Sequence, residues 1–220
     1  MTLDDLQNGY YIYQSENGFR FGVDAVLLSD FHKGDHNDKV LDICSGNGII
    51  PILLAAKKKG ARITGLEIQE AQVEIARRSI EYNSLSDTVS MLCGDVKDFR
   101  SLFATQEFDA VTCNPPYMKA GAGKAADDSA RAIARHEILC NFDDICAAAA
   151  WALKIGGRIS VVHRPQRCAE LIRTMSSHGL EPKRIRFAHP YADKDANLVF
   201  IEAMKGGSSG LVVEPPIIMY

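Results

Sequence analysis

From Val40 onward, short β-rich apolar runs alternate with helical patterns, and this alternation constrains the fold more than any other feature of the chain. The runs are Val40–Cys44, Arg62–Ile68, Val89–Cys93, Ala110–Cys113, Arg158–His163, Lys183–His189 and Leu198–Met204. Helical spacing fills the intervals. Ile49–Lys59 stops at Gly60 and tolerates Pro51 in its first turn, and Glu70–Asn83 puts Val73, Ala76 and Ile80 on one face. Asp143 is expected to cap a helix that stops at Gly156-Gly157, and Pro165 to open one that ends at Gly179. The pattern predicts an α/β fold with a mainly parallel seven-stranded sheet and helices on both faces, because parallel neighbours require crossover connections.

Ahead of this core, Tyr10–Gln14 and Phe19–Phe21 flank Asn17-Gly18 and predict a hairpin, after which Asp24 would cap a short helix through Phe31. Residues 1–31 are thus expected to be an N-terminal addition packed on the ligand site, and 32–205 the main domain. Residues 206–220 would form a turn and apolar tail of that same domain. The stretch Met118–Ala134, rich in small and charged residues, predicts a long loop.

Composition narrows the class. With 220 residues, 46% hydrophobic and 24% charged, the chain can bury a core without help from disulfides or a metal. Its longest apolar stretch, Ile145–Leu153, falls far short of the ~20 residues that cross a bilayer. No basic segment followed by an apolar run opens the chain, so a cytoplasmic protein with no membrane contact is expected. Six cysteines form no C-x-x-C pair, which predicts reduced thiols and no bound metal. The net charge of −3 hides a gradient: residues 1–50 carry three basic side chains against eight acidic, whereas residues 151–220 carry ten against six. Arg158, Arg164, Arg167, Arg173, Lys183, Arg184 and Arg186 could meet a phosphate backbone, the alternative being solvated helix faces and strand ends.

Asp42-Ile43-Cys44-Ser45-Gly46-Asn47-Gly48 puts two glycines at a strand-to-helix turn, where open α/β sheets bind ligands. A dinucleotide pattern would need a third glycine at the position held by Pro51. Asp42, placed at the mouth of the turn, would repel a pyrophosphate but suits a ligand bearing an ammonium group. S-adenosylmethionine, with an α-ammonium, a sulfonium and no phosphate, fits that description. Glu67 ends the second strand, where a carboxylate can accept from both ribose hydroxyls. Asp95, after the third strand, could accept from the adenine amino group. The competing readings are a surface carboxylate for Glu67 and a helix-cap or turn aspartate for Asp95.

Asn114-Pro115-Pro116-Tyr117 follows the fourth strand, a tetrapeptide with a chance occurrence on the order of one in a thousand in a chain this long. Its residue types suit methyl transfer to a planar nitrogen. An exocyclic or amide NH2 is a poor nucleophile because its lone pair is delocalised. Two acceptors aimed at its hydrogens, the Asn114 side-chain oxygen and the Pro115 carbonyl, would draw it toward tetrahedral geometry. Pro116 restricts Pro115 to extended conformations and so fixes that carbonyl. Tyr117 would stack on the base and hold the lone pair in line with the methyl group. A rigid structural turn is the alternative.

Asp42, Gly46 and Gly48, then Glu67, Asp95 and the Asn114 tetrapeptide, in this order, resemble the amino-methyltransferases of the Rossmann-like, S-adenosylmethionine-dependent class I. The chain further resembles the bacterial tRNA (adenine-N6) methyltransferases in Phe19–Leu28, in Ala134-Arg135-His136-Glu137 and in Glu214–Tyr220. That family modifies the adenine next to the anticodon, position 37, of valine tRNA. The resemblance implies S-adenosylmethionine as cofactor and tRNA as partner, with Asn114, Pro115 and Tyr117 catalytic. It implies cofactor contacts from Gly22, Asp24, Asp42, Cys44, Gly46, Gly48, Glu67, Ile68, Asp95, Val96 and Asn114. Substrate contacts would come from Pro116, Tyr117, Arg135 and His136, although Arg135-His136-Glu137 could equally be a helix start pairing with its neighbours. Ser45 departs from a glycine common in the wider class.

Two other substrates are compatible with the tetrapeptide: a ribosomal-RNA guanine N2, and a protein glutamine amide. The enzymes that modify release factors carry an additional helical domain in front, whereas only 41 residues precede Asp42 here. A catalytically silent cofactor- or RNA-binding module is the remaining alternative.

Overall fold

The computed structural model describes residues 1–7, 9–15, 21–116 and 140–220, and in it the alternating pattern builds one large sheet. Its strands are β3 (Lys39–Ile43), β4 (Arg62–Glu67), β5 (Val89–Cys93), β6 (Phe108–Cys113), β7 (Leu153–His163), β8 (Leu180–His189) and β9 (Leu198–Lys205). Two short strands, β10 (Val212–Val213) and β11 (Ile217–Ile218), add to its edge. The order is β10-β8-β9-β7-β6-β3-β4-β5, with β11 also on β8. Strand β9 is antiparallel to β7 and β8, and the other pairings in this sheet are parallel. The chain runs outward from β3 through β4 to β5 and then returns to β6 on the other side of β3. That reversal opens a crevice at the carboxyl ends of β3 and β6, where doubly wound folds bind ligands.

Helices α1 (Val23–Phe31), α2 (Ile49–Ala56) and α3 (Glu70–Tyr82) pack on one face of the sheet. On the other lie α4 (Phe99–Leu102), α5 (Phe142–Ala152) and α6 (Cys168–Ser177). Helix α2 buries Ile49, Ile50, Pro51, Ile52, Leu53 and Leu54 because it lies between the sheet and α1. Side chains alternate between faces along each strand, so Leu41 and Ile43 enter one core while Val40 enters the other.

In five adjacent strands a buried polar residue interrupts these apolar rows at a common level. Asp42 is in register with Thr112, Thr112 with Ser160, Ser160 with Glu202, and Glu202 with Arg184. All five are buried. Their partners are local: Thr112 Oγ1 donates to Asp42 Oδ1 at 2.7 Å, and His32 Nδ1 lies 3.1 Å from Ser160 Oγ. Glu202 accepts from Arg158 at 2.9 Å and from Arg184 at 2.7 Å. Arg184 reaches on to Glu214 of the C-terminal segment at 2.7 Å, fastening that segment to the sheet edge.

Several expectations are corrected. Among the described residues the sheet has nine strands rather than seven, because the apolar tail extends it along β8. Tyr11–Gln14 (β2) pairs with the preceding Thr2–Asp5 (β1) rather than with Phe21, which is not in a strand. Leu6 N–H bonding to Tyr10 O and Gln7 N–H bonding to Asp5 close that turn. Gly22, not Asp24, occupies the N-cap of α1, and Asp24 sits in the first turn, where its carboxylate accepts from Ala25 N–H. Helix α5 is capped by Asn141 in a reciprocal box with Asp144, not by Asp143. It ends at Ala152, since Leu153 already pairs with Phe108, and Gly156-Gly157 lies where the β6–β7 register slips. Asn17-Gly18, Phe19 and the 118–134 stretch lie outside the described residues.

Candidate functional site

The glycine turn leaves β3 at Ile43 and enters α2 at Ile49. Cys44, Gly46 and Gly48 have φ of 61°, 55° and 80°, so the turn winds through left-handed backbone that glycine adopts without steric cost. A Cβ on Gly48 would also lie 2.9 Å from Ala76 Cβ, so the missing side chain lets α2 start tight against α3. Around Gly46 the position of a Cβ is open space.

Asp42 lies beneath the turn rather than at its mouth, with none of its surface exposed. Burial raises its carboxyl pKa to about 7, the Thr112 and Ser45 hydroxyls oppose that rise, and the nearby Glu67 charge adds to it. Oδ2 has no hydrogen-bond partner. A buried carboxylate with one oxygen satisfied and the other without a donor fits a ligand that brings an ammonium group, the group that S-adenosylmethionine would present.

Glu67 closes β4, and its carboxylate is held by backbone: Oε2 accepts from Gly46 N–H at 2.9 Å and Oε1 from Gln69 N–H at 3.0 Å. This buried acid is not the surface carboxylate of the competing reading. Oε1 accepts a second bond from Gln69 Nε2 at 3.2 Å, so it is Oε2 that keeps acceptor capacity for a hydroxyl. Ile68, next in the chain, is an exposed apolar side chain at the same sheet end. Asp95 follows β5 and caps a 3-10 turn, accepting from Lys97 N–H at 2.9 Å, so the capping role is realised. The Val96 side chain is buried in the core with Phe99 and Phe103.

Cys44 packs against the same core cluster as Cys113 and Cys140. The neighbouring Cys113 and then burial hold its thiol well above the usual range, while Cys140 opposes the rise. All six cysteines are free. Asn114, Pro115 and Pro116 leave the carboxyl end of β6, with Pro115 buried and the other two half-buried. Ile43 and Cys113 are in register, so the glycine turn and the Asn114 turn start side by side. Tyr117, Arg135 and His136 lie outside the described residues. Gly22 and Asp24 sit at the start of α1, which packs on α2.

The basic C-terminal third is less free than its composition suggests. Arg158 and Arg184 are paired with Glu202, Arg167 is held by Glu170, and Lys183 and Arg186 donate to carbonyls of the tail. Thr112 was not among the expected site residues. Its signal was a lone hydroxyl in the apolar run Ala110–Cys113. Among the described residues, no helix is long and apolar enough to cross a membrane and no cluster of metal-ligating side chains is found.

A sheet of this order, with an acid under a glycine turn, an acid ending the adjacent strand and Asn-Pro-Pro beside them, defines a class I, Rossmann-like methyltransferase. Residues 15–178 match the model of the methyltransferase small domain, and the chain belongs to that family. Relatives include a Porphyromonas gingivalis protein named tRNA1(Val) (adenine(37)-N6)-methyltransferase, 28% identical over 87% of this chain and 76% of its own length. A Shewanella frigidimarina protein of the same name is 26% identical over 93% of this chain and 78% of its own. Among solved structures, an Agrobacterium tumefaciens protein described as a predicted O-methyltransferase superposes with a TM-score of 0.70 at 26% identity, covering 89% of this chain and 87% of its own.

Proposed function

We propose that this methyltransferase transfers the methyl group of S-adenosylmethionine to the exocyclic N6 of an adenine in tRNA, at position 37 of valine tRNA. The observation that carries this reading is the Asn114-Pro115-Pro116 turn starting beside the glycine turn on registered strands. The names of the relatives support the substrate. S-adenosylmethionine is the cofactor and supplies an electrophilic methyl group.

Asp42 Oδ2 accepts from the α-ammonium, Glu67 from the ribose hydroxyls, and Asp95, through its remaining acceptor capacity, from the adenine amino group. Cys44, Gly46 and Gly48 line the methionine end, Ile68 and Val96 the adenine end, and the 1–31 segment covers the site through Gly22 and Asp24. Asn114 Oδ1 and the Pro115 carbonyl accept hydrogen bonds from the N6 amino group, which localises the lone pair on nitrogen. Pro116 and Tyr117 pack on the base, and Arg135 and His136 face the RNA. As the N–C bond forms the S–CH3 bond breaks and S-adenosylhomocysteine leaves, and the N6 proton, acidic once the nitrogen is methylated, passes to water without a strong base. The target adenine must sit in a loop or leave its stack to reach the site.

Incubation with isotope-labelled S-adenosylmethionine and unmodified tRNA, followed by nucleoside mass spectrometry, tests this. N6-methyladenosine in valine tRNA is expected. Label in guanine, in a protein, or in no acceptor overturns it.

A further inference from the structure

Thr112 stands next to Asp42 on the neighbouring parallel strand, fully buried, two residues before Asn114. Its hydroxyl donates to Asp42 Oδ1 at 2.7 Å, whereas Asp42 Oδ2 has no partner. A carboxylate tied at one oxygen cannot rotate freely, so the direction of the other oxygen is set. The β-branched threonine is itself stiff about χ1. We propose that Thr112 is a positioning residue of the cofactor site, fixing the Asp42 carboxylate so that Oδ2 is presented to the ammonium group of the methyl donor. The inference rests on the reading of Asp42 as the ammonium acceptor.

The same bond has an electrostatic consequence. A hydrogen bond to the ionised form favours it, and Thr112 is the foremost group opposing the burial that raises the Asp42 carboxyl. Without it, Asp42 is more fully protonated at neutral pH and offers no charge to the ammonium. The groups facing Asp42 are Thr112 from β6, Ser45 from the turn and Glu67 from β4. Glu67 and the Ser45 hydroxyl remain in a Thr112→Val variant.

Thr112→Val keeps the branched shape and removes the hydroxyl, and Thr112→Ser keeps the hydroxyl. Calorimetric titration of each protein with S-adenosylmethionine is expected to show about 10-fold or more weaker binding for the valine variant at pH 7, the scale of one charge-assisted hydrogen bond. Binding by the serine variant should stay within about 3-fold of wild type on the same scale. In methyl transfer, the KM for S-adenosylmethionine should rise in the valine variant while kcat at saturation holds. The carboxyl resonance of Asp42 should titrate at higher pH, and valine-variant binding should recover as pH is raised from 6.5 toward the α-amino pKa near ~8. Equal binding by wild type and the valine variant, or equal defects in both variants, overturns the proposal. Asp42→Asn is the control: if it binds S-adenosylmethionine as tightly as wild type, the reading of Asp42 itself is overturned, whereas an Asp42→Asn defect with no Thr112→Val defect overturns the role of Thr112 alone.

Discussion

The Ser45 hydroxyl occupies the space that a side chain on Gly65 would need. A Cβ at Gly65 would lie 2.5 Å from Ser45 Oγ and 2.5 Å from Met91 Sδ. Gly65 is the registered neighbour of Asp42 on β4, so the departure from glycine at 45 is matched by a glycine at 65.

Gly65→Ala is therefore expected to push the glycine turn away from β4. The cost should be ~1–3 kcal/mol, as for other overpacked sites. Ser45→Gly should recover part of it, leaving the contact with the flexible Met91 side chain. A double-mutant cycle by denaturant unfolding checks this, and additive effects of the two changes would contradict it.

Asp42→Asn should stabilise the protein without ligand at pH 8 while weakening S-adenosylmethionine binding. The folded pKa of Asp42, about 7, lies above its unfolded value near 3.8. Its carboxyl therefore favours the folded state most at low pH, and that contribution is lost as pH rises to 7. The expected gain is at least ~1 kcal/mol, or ~2–4 °C in Tm for a chain of this size. It should shrink toward pH 5. Thermal unfolding at both pH values measures it, and an equal change at both would refute the assignment.

His32 acts in the opposite sense. Burial first, then the charges of Lys59, Arg184 and Arg158, lower its pKa to about 4, so it is folded in its neutral form. Stability from this site is complete above the unfolded pKa near ~6.5 and is lost as pH falls toward 4. His32→Gln should destabilise at pH 7 and approach wild-type stability near pH 5. A difference that does not change with pH would argue against it.

Arg184→Met should cost far more than Glu214→Gln. Glu202 is fully buried between Arg158 and Arg184, and removing one cation leaves its charge partly uncompensated. Loss of one partner of a buried pair costs ~3–5 kcal/mol, here softened by Arg158. The Arg184–Glu214 pair is partly solvated and should contribute ~1 kcal/mol or less. Urea denaturation of the two variants provides the comparison, and equal costs would contradict the ranking.

Strand composition made the sheet legible, since the runs from Val40 to Met204 are apolar and the loops carry turn residues. Helix starts were less so: Asn141 and Asp143 are equally good caps by type, and the choice depends on the reciprocal bond with Asp144. The tail escaped for a related reason. Val212–Val213 and Ile217–Ile218 are two-residue strands with no period to detect, held by Arg184 and by backbone bonds to β8. At the site, Asp42 and Glu67 were visible because they interrupt strand patterns. Thr112, Ser160 and Glu202 interrupt theirs in the same way, but only the register aligns them into one row.

An enzyme that carries an alkylating agent faces a chemical hazard from its own side chains, and sulfur is the softest nucleophile it has. Cys44 belongs to the very turn that would hold the donor, and Cys113 and Cys140 pack in the same cluster. Cys113 and burial raise the Cys44 thiol against the opposing effect of Cys140, burial raises Cys113 against that of Cys44, and Cys44 and burial raise Cys140. The packing that closes the core therefore also withholds the thiolate, the form of sulfur that attacks an alkyl donor.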